Sequence, residues 1–422
     1  KVYGGVPIIT QVIDKDETDE SLLYPKRNTT DESFTFIIKE LKEAADLLPV
    51  TYSGDNWGRI TKGAALAYCA RIQLYRASPM FNPSNEKKYW EDAYDTYKDV
   101  IGLDVYDLHP TFSDIWKEKG ENNKEIIWFK DYKKGTITHG WDAGNMMRSQ
   151  AVGDATANCP VQELVDAFPM KDGTPYVKSN PETNPYDYRD PRLRETVVWN
   201  GDTYGPRKEK VYTFVSESTD PNSPMYNFDG IDSHQSATST GYYMRKMKDE
   251  SLDGTKGDYG YGKGSYTQWV ELRYAEVLLG LAEAANEIGE TEEGVEQIKL
   301  IRKRAGILPG ENKRYGIPEN ISVDDFRTLV QNERYIELAF EDKRYWDLRR
   351  WKLAHLKLNN QLTAMEIRKK INGEEISYTY TRRVQRHDKT NKPVFLEKFY
   401  FLPLPKEELL RNPNLEQNEE WK

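Results

Sequence analysis

Apolar positions recur at helical spacing in two blocks of the chain, and the period is lost between them. In the first block, Phe34, Ile37, Ile38, Leu41 and Ala45 form one stripe, which predicts a helix from Asp31 to Leu48 stopped by Pro49. Thr29 and Glu32 have the spacing of a capping box at its start. A second helix is predicted over Lys62–Arg76, capped by Thr61 and rich in alanine, which permits close helix contact. A third covers Glu86–Ile101, with Trp90, Ala93, Tyr94, Tyr97 and Ile101 on one side and Gly102 placed to end it.

The second block predicts a helix over Glu271–Ile288, ended by Gly289, and a partner from Thr291 to about Arg304, ended by Gly306. Their combined length is close to one tetratricopeptide unit, although no strict consensus is present. Another helix starts at Ser322, with Asp325 in the capping position, and is expected to run past Phe340. A further one spans Tyr345–Leu358. Residues 31–108 and 266–360 are thus a scaffold of stacked helical hairpins.

Between the blocks, residues 109–265 hold short strand-like pieces such as Ile126–Phe129 and Thr196–Trp199, separated by stretches rich in Gly, Pro, Asn, Asp and Ser. A loop region of this length inside a compact domain points to function. The tail, 361–422, is extended and turn-rich after Gly373. The expectation is one mainly α domain over 1–422, with 109–265 and 361–422 as its irregular, ligand-bearing portion.

Composition narrows the function classes. With 60 Lys+Arg against 69 Asp+Glu, the net charge of -9 argues against nucleic-acid binding, which needs a positive face. No apolar run is long enough to span a bilayer. Aromatic residues make up 12% of the chain, with 28 Tyr and 10 Trp, side chains whose flat apolar faces and polar handles suit amphipathic ligands as well as cores. The two cysteines, Cys69 and Cys159, leave room for one bridge at most and do not form a disulfide scaffold.

The run Gly257–Gly264 resembles a phosphate loop, but Gly264 stands where the Mg²⁺-holding hydroxyl is required, and no buried strand precedes it. His109, His139, His234, His355 and His387 are scattered, none at metal-ligand spacing. The acidic group Asp14, Asp16, Asp19 and Glu20 lacks the calcium-loop glycine. No metal, cofactor or catalytic residue is therefore expected. A glycosidase, whose two carboxylates cannot be singled out among 69 acids, stays open as the alternative.

The densest charged constellation is Glu333-Arg334-Tyr335-Ile336-Glu337-Leu338-Ala339-Phe340-Glu341, followed by Arg344, Asp347, Arg349 and Arg350. Helical spacing pairs Arg334 with Glu337 and Arg344 with Asp347. Acids and bases balance and no nucleophile accompanies them, so the expected role is a partly buried ion-pair network that fixes packing.

That segment, continued by Arg344-Tyr345-Trp346-Asp347-Leu348-Arg349-Arg350-Trp351, resembles the most recognisable stretch of SusD/RagB proteins. Five further pieces agree in the same order: Tyr3-Gly4-Gly5-Val6-Pro7; Ser78-Pro79-Met80-Phe81-Asn82; Asp190-Pro191-Arg192-Leu193; Arg273–Leu279 with Ile301–Gly306; and Asn412–Asn418. The resemblance implies a tetratricopeptide-like scaffold carrying a loop-rich ligand face. It also implies a lipid anchor, an outer-membrane position at the cell surface of Bacteroidetes-type bacteria, and partnership with a SusC-like TonB-dependent β-barrel transporter. Family members capture oligosaccharides, and some capture peptides, without cleaving them. In the family a lipidated cysteine and a helical segment precede the Tyr-Gly-Gly-Val-Pro turn. Here that turn lies at the start of the chain, so the anchor and part of the ligand face are expected to lie outside it.

A sugar ring can lie with its C–H face on Trp or Tyr while its hydroxyls meet polar neighbours. The candidates in the irregular region are Trp141, with Asn145 and Arg148 nearby; Trp199, with Tyr204; and Tyr226 with Phe228. Trp90, Tyr94, Tyr97, Trp346 and Trp351 lie at helical spacing and are assigned to packing. Trp57, in Asp55-Asn56-Trp57-Gly58, suits either role.

Overall fold

The computed structural model describes residues 2–14, 16–150, 156–178, 180–258, 264–385 and 394–422. The helices form a stack of antiparallel, tetratricopeptide-like hairpins. Helix α1 spans Thr30–Leu47, and its capping box is formed on both sides: Glu32 N–H donates to Thr29 Oγ1, and Thr29 N–H donates to Glu32 Oε2. Helix α2, Lys62–Ala77, is buried on nearly all sides, as its alanines allow. It packs between α1 and helix α3, Lys87–Ile101. In turn α3 packs on α4, Tyr274–Ile288, and a Cβ on Gly280 of α4 would stand 2.2 Å from the Tyr97 ring, so this crossing depends on glycine.

Helices α4 and α5, Thr291–Ala305, form the predicted pair, each ended by a left-handed glycine, Gly289 and Gly306. Helix α6, Val323–Glu337, is capped by Ser322, which accepts from Asp325 N–H, and packs on both α4 and α5. Trp90, Tyr97 and Trp351 are core residues, while Tyr94 and Trp346 are half-buried. Among the described residues, no helix is long and apolar enough to cross a membrane.

Several boundaries differ from the sequence expectation. The helix predicted from Glu271 begins at Tyr274, because Trp269–Arg273 forms strand β2, antiparallel to strand β1, Ile126–Lys130. That pairing gives the segment backbone partners that its local pattern does not reveal. Helix α6 stops at Glu337 rather than passing Phe340, since Phe340 and Asp342 are left-handed, with φ of 64° and 57°. Helix α7 is Arg344–Arg350, and left-handed Lys352 separates it from one further turn at Ala354–Lys357. Gly102 ends α3 with φ of −64°, and Asp104 supplies the left-handed residue instead. The stripe on α1 is only partly covered: Ala45 is buried, Phe34, Ile38 and Leu41 are half-buried, and Ile37 is exposed. The tail contains a hairpin of two ten-residue strands, β3 Thr363–Asn372 and β4 Glu375–Val384, reversed at Gly373. Cys69 and Cys159 are not bridged.

The irregular middle is held to the helices by buried charge. Arg192, Arg273, Arg302, Arg304 and Lys246 meet Asp190, Glu125, Glu333, Glu337 and Glu341 in one continuous network of five cations and five carboxylates. Glu125, Asp190, Arg192 and Lys246 come from the middle region, and the others from β2, α5, α6 and the turn after α6. A second cluster joins Arg334 to Asp347, and Arg350 to Asp347 and Glu283. The local pairs suggested by helical spacing are not the ones made: Arg334 reaches Asp347 rather than Glu337, and Arg344 lies over the Tyr335 ring at 4.0 Å. The network is structural in placement, but long-range pairing assembles it.

Candidate ligand-binding site

Trp141 opens a single helical turn, Trp141–Gly144, on a loop fixed at both ends. His139 and Ser265 pair as an antiparallel bridge, with N–H···O distances of 2.9 and 3.2 Å. Behind the indole, Asp142 is fully buried and turns inward. It accepts from the Ser265 hydroxyl and from Asp249 N–H at 2.8 Å. Burial pushes Asp142 up to about 6 against the pull of Lys248, and burial brings Lys248 down to about 8. Lys248 Nζ donates to the Asn145 carbonyl at 2.9 Å and so ties down the end of this turn.

The cleft lined by Trp141 and Asn145 has a volume of about 380 Å³. Its aromatic walls are Trp141 and Trp269, edge to face at 5.9 Å, and Tyr132 against His139 at 4.5 Å. Thr267 and Gln268 supply polar atoms, and the buried Gln268 Oε1 accepts no hydrogen bond within the protein. His139 Nε2 lies 3.0 Å from the Thr267 carbonyl, and burial holds the imidazole below its usual value, hence neutral near pH 7. The described lining holds aromatic rings, amides, a hydroxyl and one neutral imidazole, and no carboxylate.

The structure brings together only part of the predicted set. Trp141 and Asn145 share this cleft, but the Asn145 side chain is committed to the loop: it donates to the Trp141 carbonyl and accepts from Asn158. Trp199 lines a separate cleft of about 410 Å³, stacked on Tyr186 at 5.0 Å. Tyr204, only 1% exposed, packs with Met146, Met147, Val198, Val211 and Tyr243, so its ring has no free face. Phe228 is exposed and carries the Arg148 guanidinium 4.5 Å above its ring, while Tyr226 is half-buried nearby in sequence. Trp269, Gln268 and Tyr132 escaped sequence reasoning, because the β1–β2 pairing, with Lys130 opposite Trp269, and the His139–Ser265 bridge together bring them to Trp141.

Residues 259–263 of the phosphate-loop-like run, and His387, lie outside the described residues. Among the described residues, no group of three His, Cys, Asp or Glu is placed to hold a metal ion.

This architecture matches known proteins along the whole chain. The model of the SusD family fits residues 124–421, which is more than half of the sequence. The chain belongs to the SusD family. A SusD-like model described as starch-binding associating with outer membrane fits residues 1–74. SusD-like protein P2 of Formosa agariphila is 26% identical over 99% of this chain and 70% of its own length. Among solved structures, a SusD-like protein of Bacteroides fragilis is 26% identical with a TM-score of 0.71, covering 99% of this chain and 76% of that one. A SusD-like carbohydrate binding protein of the same species is 23% identical at a TM-score of 0.75, over 98% of this chain and 76% of that chain. Surface glycan-binding protein A of Bacteroides fluxus is 18% identical at 0.61, over 99% and 74%. With these last two the likeness is one of fold.

Proposed function

We propose that this SusD-family protein captures an oligosaccharide at the cell surface in the Trp141–Trp269 cleft and passes it on uncleaved. The observation that carries this reading is the lining itself: two indoles at 5.9 Å, a phenol, and the Gln268 side chain, whose buried amide oxygen accepts nothing within the protein, with no carboxylate among the described wall residues. Indole faces suit the C–H faces of sugar rings, and Gln268 Oε1 suits a hydroxyl donor. Glycoside hydrolysis needs two carboxyl groups flanking the bond. Asp142, the nearest acid in sequence, is fully buried and bonded inward.

Family membership and the names of the fold neighbours, a carbohydrate binding protein and a glycan-binding protein, support the same reading. In this reading residues 109–265 and 361–422 carry the ligand face, and 31–108 and 266–360 support it, with Gln268 and Trp269 reaching in from the supporting side. Trp199, Tyr226 and Phe228 are accessory positions along that face. Delivery goes to a SusC-like TonB-dependent transporter, and a lipid anchor holds the protein at the outer membrane.

The test is calorimetric titration with oligosaccharide and peptide panels, on the protein and on Trp269→Ala. Saturable glycan binding lost in the variant is expected. Binding of peptides alone would replace the glycan reading with peptide capture.

A further inference from the structure

A second aromatic cleft is lined by β1. Its volume is about 370 Å³, and it is bounded by Trp57, Tyr106, Trp128 and Phe129. Phe129 sits opposite Val270 and Lys130 opposite Trp269, and the two clefts have no lining residue in common. The two clefts are therefore separate, not one groove.

Trp57 is half-buried on an exposed turn, and its ring meets Phe129 at 4.9 Å with a 39° tilt. The turn is held from across the cleft, where Gly54 N–H donates to Glu121 Oε1 at 3.0 Å. The decisive atom is Asn123 Oδ1. Asn123 is 6% exposed and its amide nitrogen donates to the Ile115 and Glu118 carbonyls, yet its oxygen accepts nothing within the protein. A buried acceptor without a donor costs free energy unless a ligand or water supplies one. The exposed charges at the rim, Arg59 and Lys124 against Asp104 and Glu121, cancel, which disfavours an anionic ligand and provides strong partners for hydroxyls.

We propose that this cleft is a second, independent saccharide site that takes a neutral sugar unit, with its ring on Trp57 and a hydroxyl donating to Asn123. The choice of ligand class rests on the glycan-capture reading, but the site does not share residues with the Trp141 cleft.

The two can be tested apart. The full chain is labelled with 5-fluorotryptophan, and the Trp57 and Trp269 resonances are assigned with Trp57→Phe and Trp269→Phe. Malto-, cello-, xylo- and mannohexaose are then titrated in. The expected result is a saturable shift of the Trp57 resonance with at least one of them, retained in Trp269→Ala. Trp57→Ala should weaken that binding on the order of tenfold or more while the Trp269 resonance still responds. A Trp269 response with a silent Trp57 would overturn the second site alone. A Trp57 response with a silent Trp269 would keep the second site and remove the principal one. Silence at both removes both.

Discussion

Arg192 and Glu337 stand far apart in the sequence and meet at 2.7 Å with both side chains buried. Arg192 is placed by the Asp190-Pro191 start of a short helix in the irregular region, and Glu337 is the last residue of α6. The same carboxylate also receives Arg273 at 2.8 Å and Arg304. Burial opposes its ionisation, yet the three guanidiniums and Lys246 hold it well below the usual carboxylate range. One side chain thus fastens the irregular middle region to the helical scaffold.

Glu337→Ala would leave three buried guanidiniums short of a partner. Breaking buried pairs in this way costs roughly 3–5 kcal/mol, so the melting temperature should fall sharply. The folded fraction should keep its ligand preference, because Glu337 lies in neither cleft lining. Thermal melts with a glycan panel check this, and a fully stable variant that no longer binds would place the network in the site.

Acid stability has a defined window at Glu276. Burial opposes its charge, but Arg71, which donates to it at 2.8 and 2.7 Å, and Lys343 bring it down to about 2 from an ordinary 4.5. A depressed folded value means stability that is complete above 4.5 and lost as the pH falls towards 2. The loss should be on the order of a few kcal/mol. Glu276→Gln should be less stable than the parent at pH 7, and its melting temperature should depend less on pH within that window. Parallel slopes for the two proteins would show that Glu276 does not set it.

Much of the scaffold is legible because its signals are local. Thr29 and Glu32 name the start of α1, Gly289 and Gly306 end α4 and α5, and Ser322 caps α6. What resists reading depends on distant partners. Glu271 continues a helical pattern, yet β1 claims it for a strand. Arg334 has Glu337 one turn away and bonds to Asp347 instead. The same division runs through the site. Trp141 stands out in loop sequence, but its counterpart Trp269 becomes its neighbour only after the strands pair. Tyr204 sits among Asn, Gly and Asp like a displayed residue, but the loop folds it into the methionine cluster.

That difference between Trp141 and Tyr204 predicts opposite phenotypes. Trp141→Ala and Trp269→Ala each remove a flat wall from the cleft, worth about 2 kcal/mol or more for a stacking aromatic, so affinity should drop at least about tenfold. Their melting temperatures should change little, since both rings are only half-buried. Tyr204→Ala empties a core position and should cost roughly 3–5 kcal/mol of stability, with ligand affinity of the folded protein preserved. Calorimetry beside thermal melts separates the two classes, and loss of affinity in Tyr204→Ala without loss of stability would contradict the assignment.

The last expectation concerns chemistry. A retaining or inverting glycosidase positions one carboxyl group to protonate the leaving oxygen and a second to act as nucleophile or base. The described walls of the Trp141 cleft offer neither, and His139, the one titratable imidazole there, is kept neutral by burial and turned to the Thr267 carbonyl. Asp142 has the raised value that a general acid requires, but its carboxylate is sealed beneath the loop by Ser265 and by the Asp249 amide. A bound oligosaccharide should therefore be recovered intact after prolonged incubation, with no new reducing ends by chromatography. Steady release of shorter sugars, abolished by Asp142→Asn with binding retained, would show that the loop opens and that this buried acid reaches the glycosidic bond.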